Sequence, residues 1–162
     1  MKRILFRLTL LLALFLTACA PAVHYKGSVP LDALCTVALD ALDGEDYLID
    51  TAGVTEDYFS MPQEVSSHVI LYCRDTDCID EIGFFRTSRE HAEEIAELLR
   101  SSYLVSAYEK NRDFYNSYIP HETQKLRDAR VECFGDTVVY AILSPADQAT
   151  LFSALRDALR EG

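Results

Sequence analysis

Five cysteines hold most of the chemistry that residue type alone offers this chain. The first, Cys19, has a context of its own. Lys2, Arg3 and Arg7 form a positive start, residues 8–16 are apolar apart from Thr9, and Leu16-Thr17-Ala18 leads directly into Cys19. A membrane-spanning helix needs about 20 apolar residues, so an apolar run this short ending in small residues reads as a cleavable signal peptide over residues 1–18. The tetrapeptide Leu-Thr-Ala-Cys fits a bacterial lipobox. In that chemistry the Cys19 thiol receives diacylglycerol, cleavage follows just before it, and the acyl chains, of palmitate type, anchor the protein. Each buried methylene contributes about 0.8 kcal/mol to such an anchor, so two or three chains hold stably.

Four cysteines remain: Cys35, Cys73, Cys78 and Cys133. Outside the membrane an even number points to disulfides, and four allow three connectivities. Cys73 and Cys78 flank the polar stretch Arg74-Asp75-Thr76-Asp77, which makes them the candidate cross-strand bridge. Cys35 and Cys133 fall on apolar faces and read as small buried hydrophobes, which would also meet if helix and sheet pack together. The spacing between Cys73 and Cys78 is not the C-x-x-C of a thioredoxin-type pair. No second close pair supplies zinc ligands, so the expected metal set is none.

Other catalytic patterns fail on inspection. The histidines His24, His68, His91 and His121 are scattered. His121-Glu122 opens like a zinc-protease helix, but Lys125 stands where the second histidine must be. There is no G-x-S-x-G, and the six glycines form no phosphate-binding loop. Glu90, Glu93, Glu94 and Glu97 read as a solvated helix face that complements the helix dipole. The sequence therefore nominates no catalytic residues and no cofactor.

Tyr103, Tyr108, Phe114, Tyr115 and Tyr118 form an aromatic-rich segment. Phenol-bearing rings of this kind either edge a core or line a ligand or partner surface. They are the candidate binding residues.

Charge narrows the partners. The chain carries a formal −11, and removing residues 1–18 takes away three positive charges and no negative one, which leaves −14. A body this acidic is repelled by nucleic acid and by anionic headgroups. The expected partners are the membrane, through the lipid alone, and an unidentified protein or small molecule. Residues 19–29 read as the lipidated cysteine and a short tether. Its nine flexible residues, 20–28, would span roughly 15–18 Å. Residues 30–162 suffice for one domain with a true core.

The elements that must position these side chains follow from periodicity. Leu31, Leu34, Cys35, Ala38 and Leu42 make one helical stripe, with Pro30 at its start and Gly44 as its stop. Residues 55–59 fit one helical turn. Residues 67–73 and 80–86 alternate as strands around a polar turn. Thr87 and Glu90 have capping-box spacing ahead of a long helix that runs toward Tyr118. Residues 120–127 fit a short helix. Residues 129–134 and 137–143 are strands joined by Gly135-Asp136, the chemistry of a two-residue hairpin turn. Ser144-Pro145 opens a last helix whose face is Leu151, Phe152, Leu155 and Leu159. The order predicts an α+β domain of two layers, a four-stranded antiparallel sheet with about three helices on one face.

The chain also resembles a family of small lipoproteins of Gram-positive anaerobes, catalogued as a domain of unknown function. The similar features are the lipobox at Cys19, Leu31-Asp32-Ala33-Leu34, and residues 80–85 leading into the long helix. Residues 114–120 and the strand over residues 137–143 also match. Cys73 and Cys78, in a longer first hairpin, depart from the family pattern. The resemblance implies a Gram-positive cell surface and no catalytic residues. Together these readings lead to the expectation of a non-enzymatic, membrane-anchored binding or interaction domain. The alternatives are an extracytoplasmic hydrolase acting on envelope material and a thiol-based metal or redox role.

Overall fold

The computed structural model describes residues 23–44, 46–50 and 60–161. The signal peptide, Cys19 and the helical turn expected at residues 55–59 lie outside the described residues. Helix α1 spans Leu31–Leu42. Strand β1 is Tyr47–Asp50, β2 Ser67–Cys73 and β3 Glu81–Arg86. Helix α2, Ala92–Leu98, runs through a π-helical turn, Leu99–Tyr103, into α3, Leu104–Tyr118. Helix α4 is Thr123–Arg127, β4 Arg130–Phe134, β5 Thr137–Ile142 and α5 Pro145–Leu159.

The fold is α+β with an antiparallel sheet, as expected, but the sheet has five strands in the order β1-β2-β3-β5-β4. The added strand, β1, pairs with the outer edge of β2, Tyr47 opposite Cys73. A four-residue edge strand between acidic residues has too little alternation to announce itself.

Helices cover both faces of the sheet rather than one. Helices α1 and α5 pack on the face that presents Leu71, Ile82, Phe84, Val139 and Ala141. Helix α2, the π turn, α3 and α4 pack on the opposite face, against Ile70, Phe85, Val138, Tyr140 and Ile142. The central strands are apolar at consecutive positions, and every residue of β5 is buried. That pattern belongs to a sheet covered on both sides. It also separates two cysteines. Cys35 lies in the core of one face and Cys133 packs on the other, so they cannot meet.

Three local features decide how the ends are built. Gly135, with φ 65°, takes the first position of the two-residue turn that sets Phe134 opposite Thr137, as a type II′ hairpin requires. Ser144 caps α5 by accepting from the Asp147 N–H at 3.2 Å, with Pro145 next in line. The expected Thr87–Glu90 capping box does not form. The Thr87 hydroxyl donates instead to the Glu64 carbonyl at 2.8 Å, and α2 starts only at Ala92. At the end of α1 the left-handed residue is Asp43, with φ 50°, one position before Gly44.

Residues 24–29 are docked on the body, which shortens the expected tether. The Lys26 N–H donates to the Leu159 carbonyl at 2.8 Å, and the Glu161 N–H to the His24 carbonyl at 3.0 Å. Tyr25 sets its ring edge-on to Phe134, with centroids 5.2 Å apart. The Arg86 guanidinium bonds both the Asp136 carboxylate and the Val29 carbonyl. The Asp136 carboxylate also accepts from the Ser28 N–H at 2.7 Å.

Gly83, in the middle of β3, holds the sheet's central packing. It stands opposite Tyr140, whose ring crosses the space a side chain would fill. A Cβ at position 83 would lie 2.1 Å from Tyr140 Cε1. Gly83→Ala must therefore push a fully buried ring out of place, an overpacking that costs typically 1–3 kcal/mol. Urea denaturation should show a lower midpoint, with the unfolding free energy reduced by at least about 1 kcal/mol. An unchanged midpoint would show that the ring relocates freely.

Candidate functional site

A cleft of about 270 Å³ opens where the second half of α3 stands off the sheet. Its floor is the start of β3 and the end of β5, at Glu81 and Ile142. One wall is the β2–β3 turn, through Cys73, Thr76, Cys78 and Asp80, and the other is α3, through Asn111, Phe114 and Tyr115. The helix geometry explains the opening. The buried side of the helical stretch reads Ile95, Leu99, Tyr103 and Ala107 in steps of four. A straight α-helix would rotate such a stripe off the sheet, and the wider π turn at Leu99–Tyr103 absorbs part of that drift. Beyond Ala107 no residue of the helix is buried, and only Tyr108, Asn111 and Tyr115 are half-buried, so the helix end forms a wall.

At the floor, Glu81 is held by two phenols. Tyr103 and Tyr140 donate to the same oxygen, Oε1, at 2.6 and 2.5 Å, and the phenol oxygens lie 3.2 Å apart. Both rings are buried, whereas Glu81 itself retains exposure to the cleft. Enclosure raises the Glu81 carboxyl above its ordinary value, and the two phenol bonds oppose that rise. Burial first, then the neighbouring Glu81 charge, hold the Tyr140 phenol well above its ordinary range.

Beside the floor sits a second polar group. The Lys125 ammonium donates to Asp80 Oδ1 and to Glu122 Oε2, each at 2.7 Å. Glu122 also accepts from the Ile79 N–H at 3.2 Å, and Tyr47 donates to Asp80 at 3.3 Å. Burial pulls the Lys125 pKa down, but its bonds to the two carboxylates outweigh this and raise it. Cys78, Asp80 and Glu122 each bring a potential ligand atom within 4.8 Å of the others. The ammonium already engages both carboxylates there, and the Cys78 thiol is pushed up to about 12, chiefly by burial and by its hydrogen bond with Cys73. That donor set is an internal ion pair rather than a metal-binding one.

The predicted aromatic residues divide. Tyr103, Phe114 and Tyr115 line the cleft. Tyr108 lies in a separate groove with Val105, Arg100 and Arg127, and its hydroxyl accepts from Arg127 at 3.0 Å. Tyr118 is 73 % exposed and sets its ring at a tilt to that of Phe114, with centroids 5.0 Å apart. Cys73 and Cys78 come together at the cleft wall, as free thiols in a hydrogen bond. Glu81, Tyr140 and Gly83 escaped the sequence reading as site residues. The available signal was a carboxylate and a tyrosine on strands whose other positions are apolar, a polar pair that must be satisfied inside.

Comparison with protein-family models, with curated proteins and with solved structures finds no match. The site must therefore be read from its own geometry.

The folded state holds the Glu81 proton more tightly than the unfolded chain, whose group titrates near 4.5. The contribution of Glu81 to stability is thus fully present below that pH and declines as pH rises through the folded pKa. Urea unfolding across a pH series should show wild type losing stability relative to Glu81→Gln above that point; parallel curves would refute it. Burial also raises the thiols of Cys35 to about 11 and of Cys133 to about 12. Iodoacetamide at about pH 8 should label Cys35, Cys78 and Cys133 of the reduced, folded protein at least tenfold more slowly than in urea, because the thiolate is the nucleophile. Equal rates would contradict the burial argument.

Proposed function

We propose that this chain is a lipoprotein anchored by the lipid on Cys19 to the outer face of the cell membrane, and that its folded domain binds a ligand without transforming it. The ligand site is the cleft lined by Tyr103, Phe114 and Tyr115, and this lining is the observation that carries the reading. Aromatic walls and a few convergent polar groups in a concave site are the usual features of recognition. The resemblance to small lipoproteins of Gram-positive anaerobes makes a Gram-positive surface the setting.

The arrangement of the two ends supports the same reading. The docked segment 24–29 meets Arg86 and Asp136, at one end of the sheet. The cleft lies at the other, where Glu81 opens β3. Six strand residues separate the two ends by roughly 17 Å. From Cys19 to Val23 the chain can reach at most about 14 Å, so the lipid holds the Arg86 end close to the bilayer. The cleft then faces away from the membrane, open to what arrives from outside.

A hydrolytic alternative needs an activated nucleophile in the cleft. Cys78 lines it, but a thiol raised to about 12 is poor in thiolate.

Cys19→Ala tests the anchor. In the producing cell the variant should lose labelled palmitate and leave the membrane fraction for the soluble or secreted one. Retention of both label and membrane association in the variant would place the lipid elsewhere and overturn the anchoring.

A further inference from the structure

We propose that the cleft takes a small organic cation, a primary or quaternary ammonium with an apolar body, held by Glu81 and Asp80 and packed against the rings of Phe114 and Tyr115. This rests on the reading that the cleft is the ligand site and names the class of ligand.

The lining has one sign of charge. Its ionisable acids are Asp80 and Glu81, and it includes no lysine, arginine or histidine. Lys125, beside the cleft, is held by Asp80 Oδ1 and Glu122 Oε2 and does not line it. Both hydrogen bonds that fix Glu81 end on Oε1. Its second oxygen has no hydrogen bond among the described residues, while Glu81 itself lines the cleft. A carboxyl oxygen held at the floor of a cleft is what an ammonium group would meet.

The walls complete the selection. Phe114 is half-exposed and sets its ring 6.0 Å from that of Tyr115. Two rings at an angle, next to a carboxyl, form a setting for cation–π attraction. An anion would meet Glu81 and Asp80 with only the Lys125 ammonium, which Asp80 shares with Glu122, to offset them. The net charge of −11 extends the preference outward, since the field of the whole body attracts cations to the cleft. The volume of about 270 Å³ limits the guest to on the order of ten non-hydrogen atoms, each with the room of a water molecule.

Calorimetric titration of the full chain in detergent micelles tests this with four probes of similar size: phenethylamine, choline, the neutral 2-phenylethanol and the anion phenylacetate. The ammonium probes should bind saturably, and at least tenfold more tightly than the neutral and anionic probes. Glu81→Gln should weaken them at least tenfold while leaving the melting temperature no lower than wild type, and Phe114→Ala, on an exposed ring, should weaken them several-fold. If the neutral or anionic probe binds as well or better, and Phe114→Ala weakens it, the cation class is wrong and the cleft remains a ligand site. If ammonium binding ignores both substitutions, it occurs elsewhere and the proposal fails. If no probe of any charge binds, both this inference and the small-molecule reading of the cleft fall, and a protein partner takes their place.

Discussion

The ring of Tyr140 lies across Gly83, and most of the arrangement around the cleft follows from that contact. Tyr140 and Gly83 are paired neighbours on the central strands β5 and β3. With no Cβ at position 83, the ring lies down along the sheet and carries its hydroxyl to Glu81, two residues away on the same face. Tyr103 arrives from the opposing helix and meets the same oxygen at 2.6 Å. One glycine thus joins the sheet, the π turn and the carboxyl at the cleft floor. Enclosing a carboxyl is costly unless it is hydrogen-bonded or neutral, and here two phenols satisfy it while its pKa rises.

Cations are scarce in this acidic chain, and two of them are committed to internal work at opposite ends of the sheet. Arg86 ties Asp136 to the backbone of Val29, which fixes the incoming segment against the body. Lys125 bridges Asp80 and Glu122 beside the cleft, and so fixes α4 to the start of β3. Both groups are largely enclosed, so screening by salt weakens them less than it weakens exposed pairs. The sequence comparison of His121-Glu122…Lys125 with a zinc-protease helix failed at Lys125, and that same lysine proves to be the centre of the ion pair.

Elements whose signals are local were legible. Strands β2 and β3, the Gly135-Asp136 hairpin, the Ser144 cap and the stripes of α1 and α5 all rest on residues a few positions apart. Elements whose signals compete were not. Thr87 has capping-box spacing, but the distant carbonyl of Glu64 takes its hydroxyl. Strand β1 exists because the edge of β2 is there to pair with it. The second helical layer was written in the consecutive apolar residues of β3 and β5, a pattern that a reading based on alternation passes over.

Sequence alone determined the lipobox expectation at Cys19, the acidic character that argues against nucleic acid, and the aromatic segment from which Tyr103, Phe114 and Tyr115 come. Each depends on residue types in short order along the chain. Tertiary structure decided which aromatics share a cleft, which carboxyl they enclose, and that Cys73 meets Cys78 while Cys35 and Cys133 lie on opposite faces. Those outcomes depend on the layer order and on the extra residue in the π turn, and contacts between residues far apart in sequence have no local signature to read.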